Sequence, residues 1–322
     1  MKDIHLGTIG TGIIVRNVLD QAVRTEGLRL EAVYSRSGDR GRALAERYGC
    51  ARVFTDPEAF LSDEHIDCVY IALPNALHYE YARRALLHGK HVLLEKPFCV
   101  TGAQARDLFR IAEERDLLLA EAIPTAFLPN LYALARALPE IGRVRLVLAN
   151  FSKYSSRYDE LLAGRLINIF DPALAGGCLM DINYYNAYLT AFLFGAPREV
   201  RYAPNLWENG VDTSGVLTLY YDDFTAVCAA AKDTWGPVVY QIEGEKGYLR
   251  VEDGGNGLRS ITLVTKDGSR LIDEQPEKDR YANEVRGWVR LLRDGEKPLT
   301  ETTLISVDIM EKAVQSAGLR FI

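Results

Sequence analysis

Two short stretches of this sequence combine residue types that could do chemistry. In Glu95-Lys96-Pro97, which follows the apolar run Val92-Leu93-Leu94, the lysine could hydrogen-bond the oxygen of an alcohol or carbonyl and pass a proton to it. The turn Gly10-Thr11-Gly12 follows another apolar run and prepares the start of a helix to receive a pyrophosphate. Together the two stretches predict an oxidoreductase that uses a nicotinamide dinucleotide.

The lysine and its neighbour also have more ordinary interpretations. Glu95 could anchor either the Lys96 amine or a cofactor ribose. Lysine before proline occurs at plain strand exits as well, and most lysines are surface charges. Lys96 is therefore a candidate for catalysis and cofactor contact, and Glu95 is a candidate for cofactor contact.

The glycine turn matches the dinucleotide-binding fingerprint in part. Its third position is Val15 rather than glycine or alanine, so we expect somewhat looser packing of the following helix on the strand. The turn does lie between a predicted strand, Ile4 to Ile9, and a predicted helix, which is the arrangement that dinucleotide binding requires. We expect the cofactor to contact the turn residues Gly10, Thr11, Gly12 and Ile13, and a plain tight turn is the alternative.

The residues after the second predicted strand discriminate between the two nicotinamide cofactors. A carboxylate there would hold the ribose 2′-hydroxyl of NAD, but the sequence reads Tyr34-Ser35-Arg36-Ser37. Arg36 can pair with a 2′-phosphate and stack on adenine, and Ser35 and Ser37 can donate hydrogen bonds to that phosphate. NADP is therefore the preferred cofactor and NAD the second choice, while a solvated loop arginine is the alternative interpretation of Arg36.

A polar segment at the start of an apolar helix is a second place where site residues are expected. Asp181-Ile182-Asn183-Tyr184-Tyr185-Asn186 follows the turn Gly176-Gly177. Core packing explains such a segment poorly, because an ionised aspartate is costly to bury without a partner. We therefore interpret the segment as containing site residues, with Asn183 as a substrate contact, and core packing is the alternative.

The segment from Phe151 to Tyr158 is rich in aromatic and hydroxyl side chains that could line a pocket for a polyol or a ring. Tyr154 and Arg157 are the substrate candidates in it, although an edge strand and a solvated loop explain the segment almost as well. No histidine, cysteine, aspartate and glutamate residues have the spacing of a metal site. Hydride transfer needs no metal, so we expect none.

Apolar strands alternate with helices in the first third of the sequence. The predicted strands are Ile4 to Ile9, Leu28 to Tyr34, Cys68 to Leu73, His91 to Leu94 and Leu117 to Ala120. This rhythm is typical of an α/β, doubly wound parallel sheet, the Rossmann domain. Beyond about Pro124 longer strand-like runs are separated by turns, and they predict an α+β domain with a large, mostly antiparallel open sheet.

Length and composition set the expected domain count and exclude some partners. A chain of 322 residues exceeds the size at which a single core stops growing, so we expect two domains. Residues 1–123 would bind the dinucleotide, and residues 124–322 would bind substrate and mediate oligomerisation, with C-terminal helices able to pack back on the first domain. The net charge of -6 argues against nucleic acid and anionic membranes as partners.

The N-terminal residues and the cysteines bear on location. Met1-Lys2-Asp3-Ile4-His5 enters a strand at once, without the layout of a signal peptide, and no apolar stretch is long enough to cross a bilayer. The five cysteines are odd in number and scattered, which is typical of reduced structural thiols. We expect a cytoplasmic protein.

These residues together resemble the Gfo/Idh/MocA family of oxidoreductases along nearly the whole chain. The resemblance is carried by Gly10-x-Gly12, Pro74-Asn75-x-x-His78, Glu95-Lys96-Pro97, Gly176-Gly177 and Asp181-x-x-x-Tyr185, in this order. It implies a Rossmann domain followed by a domain whose open sheet mediates formation of a homo-oligomer, a dimer or tetramer. It also implies that Leu73, Pro74, Asn75 and His78 flank the cofactor and that Lys96 is the residue of catalysis.

Two positions depart from the family pattern. Many relatives carry a histidine where this chain has Tyr185, and no histidine follows His91. Proton transfer therefore falls to Tyr185, Lys96 or water, and Asp181 would orient and tune these groups. The tyrosine resembles the dimeric dihydrodiol dehydrogenase and sugar-reductase branches. Ala126 replaces a family arginine, so no contact inferred from that charge applies here.

Two classes of function follow from the resemblance. The first is a nicotinamide-dependent dehydrogenase or reductase that acts on the alcohol or carbonyl of a sugar, polyol, inositol or trans-dihydrodiol. The second is a regulator or sensor that binds the dinucleotide but has lost the chemistry. The intact set of Lys96, Asp181 and Tyr185 favours the enzyme.

Overall fold

The computed structural model describes residues 3–321, and these form two compact units. The first unit contains the residues up to Cys99, Ala103–Ile123 and Asp279–Thr300. The second contains Val100–Gly102, Pro124–Lys278 and the residues from Glu301 onwards. A short segment from the last sixth of the chain thus belongs to the unit that is otherwise built from the N-terminal residues.

The first unit contains a 6-stranded sheet with the order β3-β2-β1-β4-β5-β6, and all neighbouring strands are parallel. Its strands are β1 (Ile4–Ile9), β2 (Leu28–Tyr34), β3 (Val53–Phe54), β4 (Cys68–Ile71), β5 (His91–Glu95) and β6 (Leu119–Ala122). The helices between them are α1 (Ile13–Ala22), α2 (Gly38–Arg47), α3 (Pro57–Leu61), α4 (His78–Leu87) and α5 (Gly102–Glu114). This is the expected Rossmann sheet, and its order reverses between β1 and β4, where doubly wound sheets bind their ligands.

The second unit contains an 8-stranded sheet with the order β14-β13-β12-β11-β7-β10-β9-β8. Its strands are β7 (Val144–Ser152), β8 (Glu199–Leu206), β9 (Asp212–Tyr220), β10 (Thr225–Ala231), β11 (Val238–Gly244), β12 (Gly247–Glu252), β13 (Ser260–Thr265) and β14 (Gly268–Ile272). Strands β7 and β10 are parallel and the other neighbours antiparallel, as expected for a mostly antiparallel open sheet. The remaining helices are α6 (Pro129–Ala137), α7 (Tyr158–Leu162), α8 (Tyr184–Phe194), α9 (Gly254–Gly257), α10 (Arg280–Arg293) and α11 (Thr300–Ser316), of which α10 belongs to the first unit.

Three strand segments escaped the sequence prediction. Strand β3 has two residues, and the edge strand β14 is exposed over most of its length, so neither carries an apolar pattern. Strand β12 alternates the buried Leu249 and Val251 with charged residues. Strand β9 begins at Asp212, four residues before its first apolar side chain at Val216, and this polar start brings Asp212 into the sheet.

The second sheet has one buried face and one partly exposed apolar face. Leu217, Cys228, Ala149 and Tyr240 lie in register on neighbouring strands and are all buried on the face against which α8 packs. On the opposite face Val216 pairs with Ala229, and Leu148 pairs with Val227. Val216 and Leu148 are each 39% exposed. Both faces are therefore apolar, although the chain itself covers only one of them fully.

Close packing at the start of α1 explains one of the two turn glycines. Gly10 has a φ of 120°, and a Cβ on it would overlap the carbonyl oxygen of Ala72. A side chain is therefore excluded there on two grounds. Val15 is fully buried, and one of its methyl groups would lie 3.5 Å from a Cβ at Gly10.

The cysteines are not disulfide-bonded in the structure. All five are buried free thiols, and burial raises the pKa of each. Their thiols are consequently poor nucleophiles. None of the helices within residues 3–321 combines the length and the apolar character needed to cross a membrane.

Helix α10 brings a buried acid to the first sheet. The ring of Trp288 packs on Tyr70 of β4 with 5.1 Å between centroids. Glu284, one turn earlier, is fully buried, and its carboxyl oxygens have no hydrogen-bond partner among the described residues. Burial and the negative charge of Glu95 raise the pKa of Glu284 well above its usual value. Both effects favour the neutral, protonated form of Glu284 over the ionised form.

Replacing Glu284 with glutamine tests this protonation. A carboxyl group with a raised pKa in the fold keeps its proton while the unfolded chain loses it, so stability falls as pH rises above the ordinary value of 4.5. Glu284→Gln removes that loss. From urea titrations at pH 5 and pH 8, we expect the free energy of unfolding of the variant, relative to the unmutated protein, to rise by about 1 kcal/mol or more.

Glu26→Gln is the matched control, because Glu26 is an exposed residue of the same unit. We expect it to leave the pH dependence of stability unchanged. Equal pH dependence in Glu284→Gln and the unmutated protein would show that Glu284 is already ionised in the fold.

Candidate functional site

The loop after β1 leaves open space beside the start of α1. Gly12 is the N-cap of α1 and is exposed, and a Cβ built on it would meet no atom within 4 Å. Thr11 is half-buried, and the next residue, Ile13, is 49% exposed despite its apolar side chain. The fold requires glycine at position 10 but not at position 12. The missing side chain at Gly12 therefore leaves room for a ligand at the unsatisfied N–H groups of the first helical turn.

The loop after β2 presents a free guanidinium. Arg36 is exposed, and no acidic side chain among residues 3–321 forms an ion pair with it. The two serines beside it shape the loop, because Ser35 Oγ accepts a hydrogen bond from the Ser37 N–H at 3.2 Å. Ser37 Oγ accepts one from the Arg40 N–H at 3.4 Å and so caps α2. Each hydroxyl keeps its own proton for donation to a ligand.

The loop after β4 is held by a buried histidine. Leu73, Pro74 and Asn75 are half-buried, whereas His78 is fully buried. His78 Nδ1 lies 2.9 Å from the carbonyl oxygen of Pro97, and Nε2 lies 2.9 Å from that of Leu73. Burial lowers the pKa of the imidazole, while the two carbonyl oxygens raise it. His78 thus connects two loops of the sheet edge, and a direct contact with a cofactor is excluded by its burial.

The loop after β5 places Lys96 beside a buried carboxyl group. Lys96 is half-buried and directly follows the strand. Glu95 accepts a hydrogen bond from the Tyr70 hydroxyl at 2.6 Å and another from the Lys96 backbone N–H at 3.2 Å. Burial raises the pKa of Glu95 to about 6. Glu95 therefore fixes the backbone at the lysine rather than facing solvent.

The sheet topology gathers these loops. Strands β2, β1, β4 and β5 are consecutive neighbours and run in the same direction. Their carboxyl ends consequently share one edge, and every cofactor candidate predicted from the sequence ends or follows one of these four strands. Within the first unit, the structure thus brings the open turn at Gly12, the free Arg36 and Lys96 to a single edge.

The second unit holds the other two catalytic candidates on one helix. Asp181 lies in a π-helical turn, Leu179–Asn183, and Tyr185 lies in the first turn of α8. Tyr185 is 7% exposed, and its ring packs against Phe151 with 5.9 Å between centroids. Asp181 keeps 23% of its side chain exposed and accepts a hydrogen bond from the Lys232 ammonium. π-Helical turns of this kind are frequent at functional sites.

A buried aspartate seats the start of this helix. Asp212 accepts hydrogen bonds from the Leu179 N–H and from the Tyr202 hydroxyl, each at 2.6 Å. Burial raises the pKa of Asp212, while these two donors lower it. Gly177 has a φ of 120°, and a Cβ on it would overlap the Asp212 carboxylate. The predicted Gly176-Gly177 turn therefore admits the carboxylate to the helix N-terminus.

One predicted substrate contact is wrong. Asn183 is fully buried; its amide donates to the carbonyl oxygen of Cys228 at 2.9 Å, and its side-chain oxygen accepts from Asn186 at 3.0 Å. These bonds tie the helix to strand β10. The polar side chain that looked like a ligand contact instead satisfies buried backbone.

The two remaining substrate candidates lie between β7 and α7. Tyr154 donates to Asp159 at 2.6 Å, and its ring stacks on Trp235 with 5.9 Å between centroids. Trp235 is 78% exposed, and Arg157 is exposed as well. This aromatic pair borders solvent, and its contact with a substrate stays a prediction.

Lys232 and Asp212 escaped the sequence analysis. Lys232 directly follows the apolar strand β10, which is the same strand-end pattern that singled out Lys96. The same pattern could therefore have identified Lys232 as a candidate site residue from the sequence. Asp212 had no such signal, because its partner Leu179 lies 33 residues away and the two meet only in the folded sheet.

An open glycine turn and a free arginine at one sheet edge suit a dinucleotide, and a lysine at that edge suits acid–base chemistry beside it. The class of protein that joins these features to a second, open-sheet unit is the nicotinamide-dependent oxidoreductases. Known proteins narrow this class. Residues 4–122 match the oxidoreductase family with an NAD-binding Rossmann fold, and residues 137–250 match the GFO/IDH/MocA C-terminal domain. The chain belongs to the Gfo/Idh/MocA oxidoreductase family.

Three relatives illustrate the range of the family. The chain is 36% identical over 321 residues to scyllo-inositol 2-dehydrogenase (NADP(+)) of Bacillus subtilis, covering 98% of both chains. It is 27% identical to trans-1,2-dihydrobenzene-1,2-diol dehydrogenase of mouse, covering 99% of this chain and 98% of the other. Among solved structures, a 3-ketoreductase from Actinomadura kijaniata in complex with NADP and TDP-benzene matches with a TM-score of 0.86 and 25% identity over 98% of both chains.

These findings confirm several predictions made from the sequence. The family resemblance, the fold class and the assignment as a nicotinamide-dependent oxidoreductase are all confirmed. The relatives are enzymes, so they support the catalytic interpretation and not the inert regulator.

The two turn glycines should respond differently to substitution. Gly10→Ala puts a side chain onto the Ala72 carbonyl at a positive φ and should destabilise the fold by about 1–3 kcal/mol. The Cβ that Gly12→Val introduces meets no protein atom within 4 Å, so we expect the variant to preserve the melting temperature of the ligand-free protein. It should nevertheless weaken NADPH binding about tenfold or more, because it fills the ligand space.

Thermal unfolding without ligand and fluorescence titration with NADPH separate the two effects. A Gly12→Val protein that binds NADPH with unchanged affinity would show that the space beside α1 is not the dinucleotide site.

Proposed function

We propose that this protein is an NADP-preferring dehydrogenase or reductase that acts on a ring-shaped polyol, a sugar or a trans-dihydrodiol. The observation that carries the proposal is the common edge of β2, β1, β4 and β5, with open space at Gly12, a free Arg36 and Lys96. The substrate class is supported by the relatives, which include an inositol dehydrogenase and a dihydrodiol dehydrogenase.

NADP fits this edge better than NAD. Gly10, Thr11, Gly12 and Ile13 would hold the pyrophosphate, and Arg36 with Ser35 and Ser37 would hold the 2′-phosphate. A guanidinium that has no carboxylate partner can pair with a phosphate without first breaking an ion pair. The relative from Bacillus subtilis is named for NADP(+), and the similar ketoreductase is solved with NADP, which agrees with this choice.

The chain supplies the acid–base groups for the reaction. When bound, the nicotinamide accepts a hydride from the substrate carbon or returns one to it. Lys96 donates a hydrogen bond to the reacting oxygen and stabilises its developing negative charge. Tyr185 exchanges a proton with the substrate, and Asp181 orients the tyrosine. Solved variants of the Actinomadura ketoreductase replace a lysine by alanine and a tyrosine by phenylalanine, which are the residue types proposed here.

We also propose self-association and a cytoplasmic location. The partly exposed row of Leu148, Val216, Val227 and Ala229 suits an interface with a second copy of the chain. A particle mass of 36.0 kDa by light scattering at micromolar concentration would exclude this interface. The five unpaired thiols suit a reducing compartment, the cytoplasm, and cell fractionation with an antibody tests this location.

A panel of alcohols tests the reaction directly. We expect reduction of NADP+ in the presence of scyllo-inositol, D-xylose or trans-1,2-dihydrobenzene-1,2-diol, measured by absorbance of the reduced nicotinamide. Absence of turnover with all three in both directions, by a protein that binds NADPH, would favour the inert regulator.

Replacement of Arg36 tests the cofactor preference. Arg36→Ala should lower NADP affinity by about 1.5 to 3 kcal/mol and leave NAD affinity nearly unchanged, because the charge-assisted bonds reach only the 2′-phosphate. Fluorescence titrations with NADPH and NADH measure both. Arg24→Ala, at another exposed arginine of the first unit, is the control. Equal affinity of the unmutated protein for the two cofactors would refute the preference.

Replacement of Lys96 and Tyr185 tests the chemical step. Lys96→Met should lower kcat by about 10²–10³ with NADPH affinity within a few fold, because the lost bond is strongest in the transition state. Tyr185→Phe should lower kcat less and alter its pH profile.

Lys297→Met and Tyr248→Phe are controls at exposed positions and should keep normal kcat. Near-normal kcat in both Lys96→Met and Tyr185→Phe would require other catalytic groups.

A further inference from the structure

Lys232 is a buried lysine that forms an ion pair with Asp181. Only 4% of its side chain is exposed, and its ammonium donates to the Asp181 carboxylate. Lysine is almost never buried unless it is paired, since taking an ammonium and a carboxylate out of water costs several kcal/mol per ion. The pair is therefore a poor device for stability alone. Its position next to a catalytic candidate points to the reaction.

The backbone and an aromatic ring fix the direction of this lysine. The Lys232 N–H donates to the carbonyl oxygen of Thr213 at 2.9 Å, and its own carbonyl oxygen accepts from the Ser155 N–H at 2.9 Å. The ammonium lies 5.6 Å from the centroid of the Phe170 ring, within the range of a cation–π interaction. The end of strand β10 thus holds the Lys232 ammonium in one position beside Asp181.

The neighbouring carboxylates have other donors. Asp212 is held by the Leu179 N–H and the Tyr202 hydroxyl, each at 2.6 Å. Asp233 accepts from the hydroxyls of Thr213 at 2.6 Å and Ser214 at 3.1 Å. These two acids, Asp181 and Lys232 all lie near enough to the buried Cys178 to act on its thiol electrostatically. In this group of three acids and one lysine, Asp181 is the acid that the lysine bonds.

We propose that Lys232 is a positioning residue of the reaction: it holds the Asp181 carboxylate charged and in one orientation, and thereby prepares the acid–base step at Tyr185. Asp181 precedes Tyr185 by four residues, so both project from the same side of the helix. A charged, fixed carboxylate can accept a hydrogen bond from the tyrosine or the substrate, which a protonated or rotated one cannot do equally well. This inference rests on the proposed function.

A double-mutant cycle between Lys232 and Asp181 tests the inference. The variants are Lys232→Met, Asp181→Asn and the two together, assayed with NADP+ and the alcohol of the panel that is oxidised fastest. Because Lys232 acts through Asp181, Lys232→Met should lower kcat about tenfold or more in the original chain and have little effect in the Asp181→Asn chain.

The pH profile separates this role from a structural one. Without its cation, Asp181 should protonate more readily, so the acidic limb of the kcat profile should move up by about 1 to 3 pH units in Lys232→Met. Asp212, Asp233 and Tyr202, which interact electrostatically with the nearby Cys178 thiol or with one another, are not replaced in any variant. Lys232→Arg, which keeps the charge, should leave that limb near its original pH. NADPH affinity should stay within twofold in all variants.

Lys153→Met is the matched control, because Lys153 is an exposed lysine beside the same strand. Lys232→Met alone leaves the partly buried Asp181 carboxylate without its cation and could fail to fold. The double variant avoids this, and the inference then requires its kcat to equal that of Asp181→Asn. An equal loss of kcat on removing Lys232 with and without Asp181, or an unshifted pH profile, overturns the inference. Absence of turnover in the unmutated protein overturns the proposed function, and this inference with it.

Discussion

Parallel strands that are neighbours in a sheet end at the same edge, and the dinucleotide chemistry of this protein depends on that constraint. The four loops that follow β1, β2, β4 and β5 lie far apart in sequence, and only their common edge brings them together. Close packing then decides which loop atoms reach the edge. Gly10 admits the Ala72 carbonyl, and His78 links the loops after β4 and β5 through two carbonyl oxygens. Gly12 and Arg36 have no such structural contacts, so they stay available to a ligand.

The second unit solves a different problem, the placement of charged groups in a buried setting. Asp212 occupies the N-terminus of the helix that carries Asp181 and Tyr185, where N–H groups and the helix dipole favour a negative charge. Lys232 adds a cation that is almost fully buried. Each charge here has a hydrogen-bond donor or an opposite charge nearby, and this pairing offsets the cost of removing the charge from water. The helix is thereby fixed at its first turn, which carries Asp181 and Tyr185.

The first unit contains the opposite case, a buried acid without a partner. Glu284 has no hydrogen-bonding group among the described residues, and it lies near Glu95, whose own pKa is raised to about 6. Two carboxyl groups in one apolar setting favour the neutral form of at least one of them. Helix α10 carries Glu284 to the sheet from the last part of the chain. Glu95, the neighbour of Lys96, thus interacts electrostatically with a residue almost two hundred positions away.

The sequence by itself determined the alternation of strands and helices in the first unit, the glycine turn, the free arginine and the strand-end lysine. These are local patterns, because periodicity, turn chemistry and strand ends are properties of a few consecutive residues. Only the tertiary structure decided the roles of Asp212, Lys232, His78 and Asn183. Asp181 and Lys232 are separated by 51 residues, and they meet because strand β10 ends beside the π-helical turn. Whether a polar side chain faces a ligand or satisfies buried backbone depends on which strand lies opposite it, and sheet register is set by the packing of the whole unit.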